Sequence, residues 1–256
     1  MSWERNIVIK SPQEIAALRE SGRINAMALD AVRKLIHPGV TTAELDAAAE
    51  EVIRKHGASP TFKGYPGPYP YPASICVSIN EQLVHGIPGK RKLQSGDILS
   101  VDCGTTFEGF VGDSAFTSGV GDISPQAQRL IEVTEQALFI GIRQMRAGNR
   151  VGDISAAIQT FVEAAGFFVT REYTGHGVGR QMHEGPQVPN YGIAGRGQLL
   201  RQGMTIALEP MVLVGTAQTL VQPDKWTVVS SDGSLTAHWE HSVAITDGEP
   251  VILTLP

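Results

Sequence analysis

The sequence predicts an α+β fold built from one unit used twice, its two copies related by a pseudo-two-fold axis. Three observations predict it. Ser11-Pro12-Gln13 and Ser124-Pro125-Gln126 each open a helical pattern. Gly39 and Gly148, Leu45 and Ile154, and Gly57 and Gly166 form three pairs that share a 109-residue offset. Leu93-x-x-Gly96, with Asp102 six residues on, returns as Leu200-x-x-Gly203 with Glu209 six residues on, at a constant offset of 107. Generic helix and strand grammar yields such matches singly; six together, one of them a pair of carboxylates, make that account the weaker one. Each copy reads as two helices followed by a strand that ends in a carboxylate. The copies run over about 11–122 and 123–256 of a single domain spanning 1–256.

The elements follow in order. Ser11 caps the first helix, Pro12 suits its first position and Glu14 completes a capping box. Ile15, Leu18, Ile24, Met27, Ala31 and Leu35 then recur at roughly helical spacing, as do Leu130, Ile131, Val133, Ala137, Leu138 and Ile142 in the second copy. Gly39 and Gly148 read as stops for these two long helices, and Gly57 and Gly166 as stops for the shorter helices that follow. Ile98 to Cys103 is β-prone, Glu108-Gly109 is a turn pair, and Phe110 to Thr117 returns as the partner strand.

Composition excludes several classes. With 42% hydrophobic and 18% charged residues the chain is ordinary for a globular protein. A net charge of -5 leaves no broad basic face, so no direct nucleic-acid site is expected. No apolar run reaches the roughly 18 residues that span a bilayer, and the start, Met1 to Arg5, lacks the apolar core of a signal peptide. A cytoplasmic protein without membrane contact is the expectation. Cys76 and Cys103 are too few for a disulfide framework, and are expected to be buried or pocket-lining thiols.

The turn at 108 places Asp102 and Asp113 opposite or diagonal on a hairpin, where neighbours lie about 4.5–8 Å apart. Two such carboxylates either face water, or repel until a cation sits between them. The apolar flanks Leu99-Ser100-Val101 and Phe110-Val111 weigh against full exposure, and on these residues alone the alternatives balance. The second copy tips them. Glu209 occupies the place of Asp102, and Glu240, on a later β-prone run, can pair with the Glu209 strand as Asp113 pairs with the Asp102 strand. Four carboxylates then meet at the seam between the copies with few lysines or arginines nearby, which favours a metal. His176, bracketed by Gly175 and Gly177, is the candidate imidazole ligand. His183 lies seven residues on, and His85 holds a related place in the first copy. Oxygen-rich ligation with one imidazole suits hard or borderline divalent cations.

Taken as a set, several stretches closely resemble the type I methionine aminopeptidases, of the pita-bread fold. They are Ser78 to Pro88, Val101-Asp102 with Gly112-Asp113-Ser114, Gly175 to Gly179, His183-Glu184-Gly185-Pro186, Leu208-Glu209-Pro210 and Trp239-Glu240-His241. The resemblance covers the chain from about residue 10 to its end. It implies helices packed on a curved antiparallel sheet, and an enzyme that removes the initiator methionine of nascent polypeptides when the second residue is small and uncharged. It implies two divalent metal ions, of Co, Mn, Fe or Zn: one held by Asp102 and Asp113, the other by Asp113, His176, Glu209 and Glu240, with Asp113 and Glu240 bridging. Metal-activated water would attack the first peptide bond, Glu209 would shuttle the proton, His183 would steady the oxyanion or scissile amide, and His85 would contact the substrate amide. Tyr71, Cys76, Met182 and Trp226 fall where the family lines its methionine pocket.

Two departures stand out: Met182 and His238 replace the Phe and Gln common in relatives. The loop from Gly64 to Pro72 looks longer and richer in proline. Monomeric state and transient ribosome association are the family expectations. Partial removal of the chain's own Met1, before the small Ser2, is a further one. Proline-specific relatives share the ligand set but usually carry an N-terminal domain, for which a first helix starting near residue 11 leaves no room. Type II enzymes insert a subdomain between the last two glutamate ligands, here only 31 residues apart. The zinc-binding N-terminal extension of some type I relatives has no counterpart here. A binding module that has lost its metals would lack ligands, and all five are present.

Overall fold

A computed structural model describes residues 6–256; Met1 and Ser2, and with them the expectation of self-processing, lie outside the described residues. The first half supplies α1 (Pro12–Lys34), α2 (Thr42–Lys55), β1 (Ser59–Pro60), β2 (Ile75–Ile79), β3 (Gln82–Val84), β4 (Ile98–Phe107) and β5 (Phe110–Gly119). The second supplies α3 (Pro125–Arg143), α4 (Val151–Ala164), β6 (Phe168–Val169), β7 (Thr174–Gly177), β8 (Glu184–Pro189), β9 (Thr205–Leu208) and β10 (Met211–Leu213). It continues with β11 (Thr219–Val221), β12 (Val228–Ser230), β13 (Thr236–His238), β14 (Glu240–Ala244) and β15 (Val251–Ile252).

The central sheet runs β1-β4-β5-β14-β9-β7-β8, with β2 also on β4 and β15 also on β14. The pairings in it are antiparallel, and the halves meet where β5 pairs β14. The β4–β5 turn is the expected two-residue type: Glu108 (φ 48°) and Gly109 (φ 78°) are both left-handed, and Phe107 faces Phe110. Two smaller sheets, β13-β10-β6 and β11-β12-β3, flank the central one. No helix among the described residues is long and apolar enough to cross a membrane.

Helix termini follow the sequence in part. Ser11 and Glu14 form the expected capping box, and Thr41 with Glu44 forms another. Gly57 and Gly166 close α2 and α4 with the same pair of bonds. Gly57 N donates to Arg54 O and Ala58 N to Ile53 O, while Gly166 N donates to Glu163 O and Phe167 N to Val162 O. These are Schellman closures, and the glycines take the left-handed conformation that they require (φ 72° and 85°). Gly39 and Gly148 differ from expectation: α1 ends at Lys34 and α3 at Arg143, several residues earlier. Both glycines instead sit in the connecting turns at φ 98° and 97°, donating to Leu93 O and Leu200 O.

The α1 stripe also differs. Leu35 caps the helix and is exposed, and Met27 and Ala31 are only partly covered. The buried face includes Leu18, Ser21, Gly22, Asn25, Ala28 and Val32. Ser21 Oγ donates to Thr105 O and accepts from Gly112 N, and Asn25 Nδ2 donates to Cys103 O and Gly112 O while its Oδ1 accepts from Ser114 Oγ. The helix thus meets the β4–β5 backbone through small and polar groups, which an apolar periodicity cannot reveal. In α3 all six apolar positions are buried as expected.

Candidate active site

Strand register places the chemistry. Across the sheet, Cys76 of β2 pairs with Asp102 of β4, Asp102 with Ala115 of β5, and Ala115 with Glu240 of β14. Beyond Glu240 the ladder breaks. β14 pairs β9 up to His241 opposite Leu208, and β13 pairs β10 from His238 opposite Met211. The register is the same on both sides of the break, which sets Glu209 opposite Glu240. Pro210 beside it has no amide hydrogen to donate, so the regular ladder lapses there; its carbonyl still accepts from Trp239 N. Two residues along β5, on the same face, lies Asp113, in line with Ser242 of β14, Ala207 of β9 and His176 of β7.

Two adjacent rows on one face therefore carry all five predicted ligands, since alternate residues of a strand share a face. Ala115, Ser242 and Ala207 stand between them and leave room above the sheet. Asp102 and Asp113 are diagonal, not directly opposite. Ser242 Oγ donates to Asp113 O and accepts from Asp113 N, locking β5 to β14 at the seam. Asn190 Nδ2 donates to Glu209 O. His176 Nδ1 lies 2.9 Å from Gly177 O, which turns Nε2 toward Asp113 Oδ2 (3.7 Å) and Glu209 Oε1 (3.6 Å). The glycines beside it serve the sheet: a Cβ on Gly175 would lie 2.7 Å from Ala207 O, and one on Gly177 2.1 Å from Gly185 O.

A cavity of about 160 Å³ opens over these rows. It is lined by Asp102, Asp113, His176, Glu209 and Glu240, by His85 and His183, by Tyr71, Cys76, Met182 and Trp226, and by Phe62 and Tyr65. Every site residue expected from sequence is on its wall. Phe62 was not expected: it sits 42 residues before its neighbour Gly104, a contact no spacing announces. Tyr65, known in the sequence only as part of the Pro-rich loop, brings its hydroxyl to 2.6 Å from His183 Nδ1 and sets that ring. Tyr71 packs edge-on to Trp226 at 5.2 Å and donates to Gly86 O. His85 has a positive φ of 59° and stands edge-on to Trp226 at 6.4 Å. Both cysteines are buried and free; Cys76 is in the wall and Cys103 in the core.

The electrostatics are those of a cation site. Burial raises Asp102 to about 7, and burial with mutual repulsion holds Asp113 and Glu240 well above the carboxylate range; burial alone does so for Glu209. Burial lowers His176 to about 3 and His85 to about 4, and also lowers His183, so all three are neutral at pH 7. Asp102 Oδ1, Asp113 Oδ1 and Glu240 Oε1 are buried with no hydrogen-bond partner. Among the described residues, no lysine or arginine lines the cavity. One ligand atom each from Asp113, His176 and Glu240 converge within 4.8 Å. Buried carboxylate oxygens without partners beside a neutral imidazole fit a divalent metal.

Such a centre, on a sheet shared by two similar halves, defines a metal-dependent hydrolase. Comparison with known proteins makes the class specific. Residues 16–247 match metallopeptidase family M24. The chain is 52% identical over 250 residues to the methionine aminopeptidase of Clostridium acetobutylicum, covering 97% of this chain and 99% of that one. It is 50% identical to methionine aminopeptidase 1 of Bacillus subtilis at the same coverage. The crystal structure of methionine aminopeptidase from Thermotoga maritima matches with a TM-score of 0.95 at 45% identity, covering 98% of this chain and 100% of that one. Prolidase from Pyrococcus furiosus shares the fold at 20% identity and a TM-score of 0.79, the match spanning 97% of this chain and 66% of that one. The chain belongs to metallopeptidase family M24, with the pita-bread fold.

Proposed function

We propose that the protein is a methionine aminopeptidase, which removes the first methionine from new polypeptides whose second residue is small and uncharged. The observation that carries this reading is one cavity with two unlike walls. One is carboxylate and imidazole; the other is Tyr71, Cys76, Met182 and Trp226, an apolar, aromatic and sulfur-bearing surface suited to a thioether. Relatives of that name at about half identity over nearly the whole chain support it.

Asp102 and Asp113 would hold one divalent ion, and Asp113, His176, Glu209 and Glu240 a second, with Mn, Fe, Co and Zn all compatible with the donor set. Bound there, the metals supply Lewis acidity at the scissile carbonyl and make a nucleophile of water at neutral pH. The chain's own groups do the rest. Glu209 takes a proton from the attacking water and passes it to the leaving nitrogen. Neutral His183, held by Tyr65, donates to the developing oxyanion, and neutral His85 contacts the substrate amide. The single catalytic unit would then be the two repeats together, since each supplies ligands. The family resemblance further supports a cytoplasmic monomer that meets chains at the ribosome.

Cleavage of Met-Ala-Ser, Met-Phe-Ser and Ala-Pro-Ala, followed by mass spectrometry after chelation and reloading with Mn or Co, tests the reading. Loss of Met from the first peptide alone is expected. Cleavage of only the proline peptide would move the chain to the proline-specific branch, and no cleavage would leave a binding module.

A further inference from the structure

His238 is a buried polar residue that the mechanism leaves unused. It ends β13 with 1% of its surface exposed and does not line the cavity, so it stands behind the carboxylates rather than against substrate. Thr117 Oγ1 clamps its main chain from β5, accepting from His238 N and donating to His238 O. Its Nε2 is buried without a hydrogen-bond partner, 3.4 Å from Glu209 Oε2 and 4.0 Å from Glu240 Oε2. The other Glu209 oxygen, Oε1, is the one nearer His176.

An orphaned buried donor costs on the order of 1–3 kcal/mol, and a small turn of the ring or of the carboxylate that aligns Nε2–H with Oε2 would satisfy it. Glu209 lies at the Pro210 break, outside the regular strand pairs, and its carboxylate is approached by His238 at Oε2 and by His176 at Oε1. We propose that His238 is a positioning residue whose Nε2–H holds Glu209 Oε2 from behind, presenting Oε1 to the metal and to the water. The neutral Nε2–H tautomer and the imidazolium both donate at this atom, so the role does not depend on titration. The inference rests on the reading of Glu209 as a metal ligand.

The test compares His238→Leu, which cannot donate, with His238→Gln, whose amide donates at similar reach. Each chelated protein is titrated with Mn(II) by calorimetry, and kcat and KM are measured on Met-Ala-Ser with Mn(II) present. H238L is expected to bind Mn(II) about 10–100-fold more weakly, as loss of a ligand's outer partner does, with kcat lowered and KM little changed. H238Q is expected to recover most of both. Wild-type affinity in H238L would overturn the proposal, and so would H238Q as weak as H238L, because the ring itself would then be required. Should H238L not fold, His238→Asn decides: its amide is too short to reach Glu209, and wild-type affinity there overturns the proposal equally. Failure of the unmodified protein to bind Mn(II) would instead sink the reading of the metal site itself.

Discussion

Asp113 illustrates how much one position can carry. It lies at the seam, main chain locked to Ser242, one row from Asp102 and Glu240 and 3.7 Å from His176. Asp113→Asn keeps the shape and the buried packing but removes the charge that two ions would share. Metal content measured by mass spectrometry of the native protein should fall at both positions, and turnover should drop by at least about 100-fold, the upper end of what losing a ligand's hydrogen-bond partner alone costs. Near-normal turnover with two ions retained would defeat the bridging assignment. At this scale the charged and imidazole groups were legible in the sequence, since carboxylates and a histidine in matched repeats leave few structural uses. Phe62, Asn190 and the Tyr65–His183 contact were not legible, because each depends on chain segments that meet only after folding.

The glycines at the ends of α2 and α4 make an element-scale case. Gly57 and Gly166 occupy the same left-handed closure, and a Cβ at either would have no neighbouring atom within 4 Å, so conformation alone opposes a side chain there. Gly57→Ala and Gly166→Ala should each lower stability by about 1–2 kcal/mol, read from urea denaturation of the chelated protein. Equal penalties would match the shared geometry, and a neutral result at either site would refute it. A second element-scale prediction concerns α1. Asn25 bridges Cys103 O, Gly112 O and Ser114 Oγ, on the two strands that bear Asp102 and Asp113. Asn25→Ala leaves those buried groups unpaired and should cost about 2 kcal/mol, with a weaker Mn(II) affinity as a second readout. Retained stability would show that water replaces the amide. The helices themselves were legible from caps and period. Their exact ends, and the polar face of α1, were decided by what the neighbouring strands needed.

At the scale of the whole molecule, metal and protons compete for one site. Asp102 is raised to about 7 and its three companions stand higher than usual, so the metal-free protein keeps protons there that the unfolded chain loses near pH 4. Its stability from these groups is therefore present at low pH and lost as pH rises toward 7. A bound cation reverses this by favouring the ionised form, and binding must release protons. The rise in Tm on adding Mn(II) should then grow from pH 5 to pH 7.5, and calorimetry in two buffers of different ionisation enthalpy should detect protons released. His85 and His241, each held to about 4 by burial, act oppositely. The unfolded chain takes up their protons below about 6.5, so the metal-loaded protein should lose stability as pH falls from there toward 4. A Tm gain independent of pH, with no proton release, would mean that the carboxylates are already ionised without metal.

The sequence by itself determined the two-copy layout, the candidate ligand types and the hairpin that sets Asp102 near Asp113, because repeats, turn chemistry and the donor type of a side chain are local properties. Tertiary structure alone decided that the five candidate ligands fall in two rows on one face, that Pro210 interrupts the regular ladder beside Glu209, and that His238 stands behind that residue. Those relations depend on register between strands far apart in the chain, and register is set by the packing of the whole sheet rather than by any window of residues.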